Sequence, residues 1–218
     1  MLSPELRARK PQIIEDFHRL YYDSFETTWE TTTWMGVKVL KNPHDLWMYQ
    51  EVIVDTRPQL IVECGTAHGG SALYFADLLD LLGDGHVYTI DIADPSLYPR
   101  RVAHPRITYL HADSTDPTVK ETVRQRFPDV RTMVILDSNH HVDHVLRELD
   151  LWADIVSSGC YLVVEDTNIN GRPVVPEHGE GPAEALERWL PHHPEFVADP
   201  ARERYLLTFN QGGWLLRR

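Results

Sequence analysis

Five short apolar runs along the chain each end in an acidic residue, and this pattern limits the fold more than any other feature. Segments with helical spacing of apolar residues separate most of the runs. The runs end at Glu63, Asp91, Asp113, Asp137 and the pair Glu165-Asp166. Apolar strands that alternate with helices are typical of a parallel sheet covered on both faces. The pattern predicts an α/β fold with a doubly wound, Rossmann-like sheet.

The segments outside these runs predict the remaining elements. Apolar residues at helical spacing indicate an N-terminal helix, and a second helix is expected after Asn42-Pro43 with Asp45 as its cap. Residues 204–209 and 214–216 flank a glycine-containing turn and predict an antiparallel hairpin, so that the sheet is mostly parallel. We expect one domain over residues 1–218, with a helical cap section at 1–57 and a Rossmann-like core at 58–218.

Charge and composition limit the partners. The 218 residues carry a net charge of −12, and an acidic surface repels the phosphates of nucleic acids and anionic lipids. The chain has no apolar run of the roughly 20 residues that a membrane helix needs, and its first residues do not resemble a signal peptide. Two isolated cysteines, Cys64 and Cys160, suit a reducing compartment. We expect a cytoplasmic protein with no nucleic-acid or membrane partner.

The turn after the first run has the features of a nucleoside-binding loop. Residues 63–71 read Glu-Cys-Gly-Thr-Ala-His-Gly-Gly-Ser and lie between a strand and a helix, where glycines let the backbone approach a ligand. Their spacing fits neither the dinucleotide fingerprint nor a phosphate loop. The acidic residues after the next two strands suit a nucleoside with a positive sulfonium. Asp91 is placed for the ribose hydroxyls, and Asp113 with Ser114 for the adenine.

Three carboxylates end the fourth and fifth runs, which are expected to be neighbours in the sheet. Asp137, Glu165 and Asp166 would repel each other at one edge unless a cation joined them. Oxygen ligands favour a hard ion such as Mg²⁺. The alternative is that these residues only cap a helix and a loop. Because the fold rule brings them together, we expect them to bind a divalent cation.

Three histidines follow Asp137, at positions 140, 141 and 144. A histidine three residues beyond a metal ligand can reach a hydroxyl beside the ion, and the ordinary histidine pKa of about 6.5 suits a general base. His140 is therefore expected to be the catalytic base, with a packing role as the alternative. His141 and His144 are expected to be structural.

Motifs in four segments carry a family resemblance: WMGVKVLKNPHDLWMYQE (34–51), VECGTAHGGSALYFA (62–76), LDSNHHVDHVLREL (136–149) and YLVVEDTNINGRPV (161–174). They resemble the cephalosporin hydroxylase family, a branch of S-adenosylmethionine (SAM)-dependent methyltransferases that includes macrolide sugar O-methyltransferases. The resemblance covers about residues 30 to 190. It implies SAM and Mg²⁺ as cofactors, a small-molecule hydroxyl acceptor and a homo-oligomer. It also implies the metal ligands and base named above, and a SAM site lined by Glu63, Gly65, Thr66, His68, Gly70, Ser71, Asp91, Asp113 and Ser114.

These features predict a metal-dependent O-methyltransferase that acts on a sugar or another polyhydroxylated natural product by in-line methyl transfer. The loop 168–180 and four aromatic residues are expected to form the pocket walls: Trp29, Trp34, Trp47 and Tyr49. Three alternatives remain open. They are a hydroxylase, as the family label suggests, a SAM-binding protein without turnover, and a nicotinamide-dependent dehydrogenase, which the glycine spacing disfavours.

Overall fold

The computed structural model describes residues 2–98 and 101–218. Its N-terminal part contains α1 (Pro4–Asp23), a small antiparallel hairpin of β1 (Thr33–Trp34) and β2 (Val37–Lys38), and α2 (Pro43–Thr56). Both predicted helices are present. Asn42 caps α2, because the helix begins at Pro43. The prediction of Asp45 as the cap was wrong, since Asp45 is buried inside α2 and accepts a hydrogen bond from the N–H of Phe209.

A seven-stranded sheet forms the centre of the molecule. Its spatial order is β5-β4-β3-β6-β7-β9-β8, where β9 runs antiparallel to both of its neighbours and the first five strands are parallel. This confirms the predicted mostly parallel, Rossmann-like sheet with an antiparallel C-terminal hairpin. The strands are β3 (Leu60–Cys64), β4 (His86–Asp91), β5 (Ile107–His111), β6 (Thr132–Leu136), β7 (Tyr161–Val164), β8 (Phe196–Ala198) and β9 (Trp214–Arg217).

The first strand of the C-terminal hairpin is not the predicted one. β8 pairs with β9, whereas residues 204–209 form turns without strand pairing. The apolar pattern that suggested a strand there has another cause. Leu207 and Phe209 are buried, and Phe209 packs against His18 and Tyr22 of α1.

Helices cover both faces of the sheet. α2 and α3 (Gly70–Leu82) pack on one face, and α4 (Pro117–Arg126), α5 (Val142–Trp152) and α6 (Pro182–Trp189) pack on the other. All five residues of β3 and of β6 are buried, which explains their continuous apolar sequence. The sequence analysis did not predict α4, because only Val119 and Val123 of its ten residues are buried.

The strand order places one crevice at the centre of the sheet. The chain runs outward from β3 through β4 to β5 and then returns to the other side of β3 as β6. In open parallel sheets, ligands bind at such a reversal, beside the carboxyl ends of the strands. The ends of β3 and β6 therefore define where a functional site is expected. None of the helices in the described part of the chain is long and apolar enough to cross a membrane.

Candidate active site

A cavity of about 360 Å³ opens at this reversal. It brings together groups from both sides of the central crevice and from the N-terminal part. Seven of its lining residues are predicted site residues, and they follow the ends of β3, β4, β6 and β7: Gly65, Thr66, Ser71, Asp91, Asp137, His140 and Asp166. The predicted residues Glu63, His68, Gly70, Asp113, Ser114 and Glu165 lie outside its lining.

Two glycines of the loop after β3 are required by the protein's own backbone. A Cβ on Gly65, whose φ is +104°, would lie 1.8 Å from the carbonyl oxygen of Asp137. A Cβ on Gly70 would lie 2.2 Å from the carbonyl oxygen of Lys38. Both distances are far inside van der Waals contact. The loop is therefore pressed between the end of β6 and the β2 strand, and this contact fixes its position in the cavity.

Asp91, at the end of β4, holds the same loop from the other side. Its Oδ2 accepts hydrogen bonds from the N–H groups of Thr66 (3.1 Å) and Ala67 (2.7 Å), and its Oδ1 accepts one from the N–H of Ala93 (2.8 Å). Arg101 lies 3.5 Å from Oδ2. The structure thus gives Asp91 a part in shaping the loop, and its contact with a ribose stays a prediction.

Glu63 is fully buried beneath the loop, at the end of β3. Its Oε2 accepts a hydrogen bond from the hydroxyl of Thr89 (2.6 Å), but its Oε1 has no hydrogen-bond partner among the described residues. Burial raises the pKa of Glu63 to about 7, although Lys41 acts in the opposite direction. An unpaired buried carboxylate oxygen is costly. Glu63 lies outside the cavity lining, so its contact with SAM stays a prediction.

The other predicted cofactor residues have local partners. His68 packs edge-on against the ring of Tyr98. Asp113 accepts hydrogen bonds from the N–H and the hydroxyl of Thr115, both at 2.8 Å. Ser114 is buried and donates to Glu148 of α5 (2.5 Å), to which Ser138 also donates. The adenine role of Asp113 and Ser114 and the SAM contact of His68 therefore stay predictions.

The opposite side of the cavity carries two acids and a histidine. Ligand atoms of Asp137, His140 and Asp166 all lie within 4.8 Å of one another. His140 Nε2 lies 3.2 Å from Asp166 Oδ2 and 3.9 Å from Asp137 Oδ1. Burial raises the pKa of both carboxyls, and His140 lowers it in each case. Two partly buried acids this close favour a cation between them.

Glu165, the third predicted metal ligand, faces a different set of partners. Its Oε1 accepts hydrogen bonds from Lys41 Nζ and from the hydroxyl of Tyr49, both at 2.6 Å. Lys41 Nζ also lies 2.5 Å from Asp137 Oδ2. The structure therefore gathers Asp137, Asp166 and His140 into one cluster and ties Glu165 to the N-terminal part. Direct coordination by Glu165 stays a prediction.

Sequence reasoning missed Lys41 as a site residue. It lies in the loop before α2, 96 and 124 residues from its two carboxylate partners. The one available signal was the excess of predicted negative charge at the sheet edge, which a buried lysine or arginine could offset. Nothing in residue spacing shows which of the 21 basic residues would do so.

The aromatic residues of the N-terminal part have separate roles. Trp29 lines the cavity as predicted, and Tyr22 lines it beside Trp29, whose indole N–H donates to the Tyr22 carbonyl at 3.0 Å. Trp34 instead packs on Tyr74 and donates to Asp77 of α3. Tyr49 is fully buried, whereas Trp47 is 60% exposed. No residue of the predicted wall loop 168–180 lines the described cavity.

Comparison with known proteins places the chain in a family. The family model described as Rhamnosyl O-methyltransferase/CmcI matches residues 26–218. The rhamnosyl O-methyltransferase of Mycobacterium leprae (strain TN) is 40% identical over 212 residues, which cover 94% of this chain and 91% of that protein. Its counterpart in Mycobacterium tuberculosis (strain ATCC 25618 / H37Rv) is 38% identical over 211 residues, covering 94% and 85%. The chain belongs to the Rhamnosyl O-methyltransferase/CmcI family.

Solved structures agree in fold. A CmcI structure described as containing Mg and SAM superimposes with a TM-score of 0.65 at 23% identity, covering 87% of this chain and 77% of that one. The methyltransferase MycE of the mycinamycin biosynthetic pathway, with Mg and S-adenosylhomocysteine in its second crystal form, gives 0.51 at 21% identity, covering 73% and 42%. The predicted family and enzyme class are confirmed: the chain is a SAM-dependent O-methyltransferase.

Proposed function

We propose that this enzyme methylates a hydroxyl group of a sugar, with a divalent cation held at the cluster of Asp137 and Asp166 and with His140 as the general base. The observation that carries the proposal is that this cluster and the loop Gly65–Thr66 line one cavity. The sugar acceptor is suggested by the mycobacterial relatives, which are named rhamnosyl O-methyltransferases.

The residues present fit both cofactors. The acidic side chain of Asp91, which lines the cavity, suits the positive charges of SAM. The carboxylate oxygens of Asp137 and Asp166 are hard ligands, which Mg²⁺ prefers. The CmcI and MycE structures are described as containing Mg, which supports the same choice here. A divalent ion would supply charge that lowers the pKa of an acceptor hydroxyl and orients it.

A side chain of the protein can take up the proton that the acceptor hydroxyl loses. The His140 side chain is 29% exposed, and its Nε2 faces both acids. It can therefore accept the proton of a hydroxyl in the cavity. The methyl group moves from the sulfur of SAM to the hydroxyl oxygen, the carbon–sulfur bond breaks, and S-adenosylhomocysteine leaves. Asp166 lies 3.2 Å from Nε2 and stabilises the imidazolium that results. Tyr22 and Trp29 provide apolar surface against which a sugar ring can pack.

The acceptor class is tested with rhamnosides and other glycosides, SAM and Mg²⁺, using mass spectrometry to detect addition of one methyl group. We expect methylation to proceed without oxygen and to stop in excess chelator. Oxygen-dependent addition of a hydroxyl would instead favour the hydroxylase alternative. Methylation that continues unchanged in chelator would contradict the metal site.

The role of His140 is tested by His140→Ala. We expect kcat to fall by about 10²–10⁴-fold, because a positioned base contributes this much to a proton transfer. The affinity for S-adenosylhomocysteine, measured by calorimetry, should change by less than about twofold, since only a transition-state interaction is lost. His141→Ala is the matched control, because His141 is the exposed residue before α5. Equal kcat in the two variants would assign the base elsewhere.

A further inference from the structure

Lys41 is a buried cation at the edge of the candidate metal cluster. It is 2% exposed, and its ammonium contacts Asp137 Oδ2 and Glu165 Oε1. A buried ammonium group is stable only where opposite charges surround it. Two carboxylate oxygens lie within 2.6 Å of the Lys41 ammonium and supply this opposite charge, so the lysine and these two acids form one unit.

Asp137 and Glu165 each use one carboxylate oxygen to contact Lys41. Asp137 gives Oδ2 to Lys41, while its Oδ1 lies towards His140. Glu165 Oε1 is shared by Lys41 and Tyr49. Lys41 thus occupies one oxygen of each acid and leaves Asp137 Oδ1 and the carboxylate of Asp166 beside His140 for a further cation.

The charges of this unit and of Asp166, which lies beside it in the cluster, can be added. Asp137, Glu165 and Asp166 contribute three negative charges when ionised, and Lys41 contributes one positive charge, which leaves two negative charges. One divalent cation makes this set neutral, whereas a trivalent cation leaves it positive. We propose that Lys41 sets the charge of the cation that the site accepts, by acting as a built-in counter-charge that favours divalent over trivalent ions. The proposal rests on the proposed function, because the cluster is the metal site named there.

The test compares the binding of Mg²⁺ and Tb³⁺ to wild-type protein and to Lys41→Met, which removes the charge but keeps a long side chain. Calorimetry gives both affinities. Tb³⁺ luminescence gives a second signal, because Tyr22 and Trp29 line the same cavity and can sensitise the ion. The ratio of Tb³⁺ to Mg²⁺ affinity should rise at least about tenfold in the variant, since loss of an adjacent positive charge favours the trivalent ion more.

Two results would overturn the proposal in distinguishable ways. If both affinities fall by the same factor, so that their ratio is unchanged, Lys41 only holds its loop in place. If the wild-type protein binds neither ion, the proposed metal site is itself wrong and no charge is being balanced. Lys38→Met is the matched control, because Lys38 lies in β2 and has no ion pair among the described residues. Its ratio should equal that of the wild type.

A charge-restoring variant separates charge from structure. Lys41→Met combined with Glu165→Gln returns the set to two negative charges and removes the unpaired buried carboxylate, which also favours folding. The ratio should return to the wild-type value. Glu165→Gln alone leaves one negative charge, and its ratio should fall at least about tenfold. If Lys41→Met does not fold, Glu165→Gln alone decides the question. An unchanged ratio of Tb³⁺ to Mg²⁺ affinity in that variant would refute the proposal.

Discussion

The two halves of the active-site cavity are held in place by different means. The cofactor half consists of residues 63–71 and Asp91, and the metal half consists of residues 137–140 with Glu165 and Asp166. In the cofactor half, backbone N–H groups bind Asp91, and glycines allow the close approach of neighbouring strands. In the metal half, buried charges are paired with Lys41 and Tyr49, side chains from the N-terminal part.

This difference shows which half of the site depends on contacts between segments that are distant in sequence. The hydrogen bonds of Asp91 in the cofactor half join residues that are 24 and 25 positions apart in sequence, within adjoining strand–loop–helix units. The partners in the metal half are separated by 96 to 124 residues. The metal half therefore depends on correct docking of the loop before α2, and of α2 itself, against the end of the sheet.

The largest effect is expected at Gly65, where the two halves touch. Gly65→Ala places a Cβ 1.8 Å from the Asp137 carbonyl oxygen, and neither backbone can move without displacing a central strand. We expect a loss of about 3 kcal/mol or more in the free energy of unfolding, measured with urea, together with loss of SAM binding.

Gly83→Ala separates this collision from backbone strain. Gly83 also has a positive φ of +86°, but nothing lies within 4 Å of its Cβ position. Its cost should be about 1–2 kcal/mol. Equal losses in the two variants would show that the contact between the halves contributes nothing.

An intermediate effect is expected from Tyr49→Phe, which acts on the metal half alone. The variant removes a 2.6 Å hydrogen bond to the buried carboxylate of Glu165. The expected loss in unfolding free energy is about 1.5–3 kcal/mol, the usual value for a hydrogen bond to a charged group. The affinity for SAM should stay near the wild-type value, because no group of the cofactor half changes.

Tyr88→Phe is the matched control for this prediction. Tyr88 is buried in β4, outside both halves of the cavity, and its hydroxyl forms no hydrogen bond within the part of the chain that the structure describes. The change should be within about 0.5 kcal/mol. If Tyr49→Phe lost no more unfolding free energy than Tyr88→Phe, the pairing between Tyr49 and Glu165 would not stabilise the fold.

The smallest effect concerns pH and a buried histidine of α1. His18 of α1 is buried, and its Nε2 accepts a hydrogen bond from the side-chain amide of Asn168 (2.9 Å), which requires a neutral ring. Burial lowers its pKa to about 4 from an ordinary value of 6.5. Between these values the unfolded chain binds more protons, so stability is full above pH 6.5 and falls as the pH drops towards 4.

We therefore expect the wild-type protein to lose about 1–2 kcal/mol more than His18→Gln between pH 7 and pH 5. The measurement is the urea-unfolding free energy of both proteins at the two pH values. Glutamine can accept the same hydrogen bond but does not titrate, which makes it the control for all other ionisable groups. Parallel losses in both proteins would show that His18 does not contribute to the pH dependence.

Most of the cofactor half followed from local sequence. The strand that ends at Glu63, its glycine loop and Asp91 after the next strand were predicted, and the structure brings Gly65, Thr66, Ser71 and Asp91 to the cavity. The convergence of Asp137 and Asp166 followed from the rule that neighbouring parallel strands end at one edge. The error at residues 204–209 arose because burial by helices gives the same apolar pattern as burial in a sheet.

By itself the sequence determined the alternation of strands and helices and the acidic residues at the strand ends, because these depend on hydrophobic periodicity and short loops. Only the tertiary structure decided that Glu165 faces Lys41 and Tyr49 while Asp137 and Asp166 face His140. Which charges pair in a buried site depends on the packing of distant segments, and residue spacing carries no record of that packing.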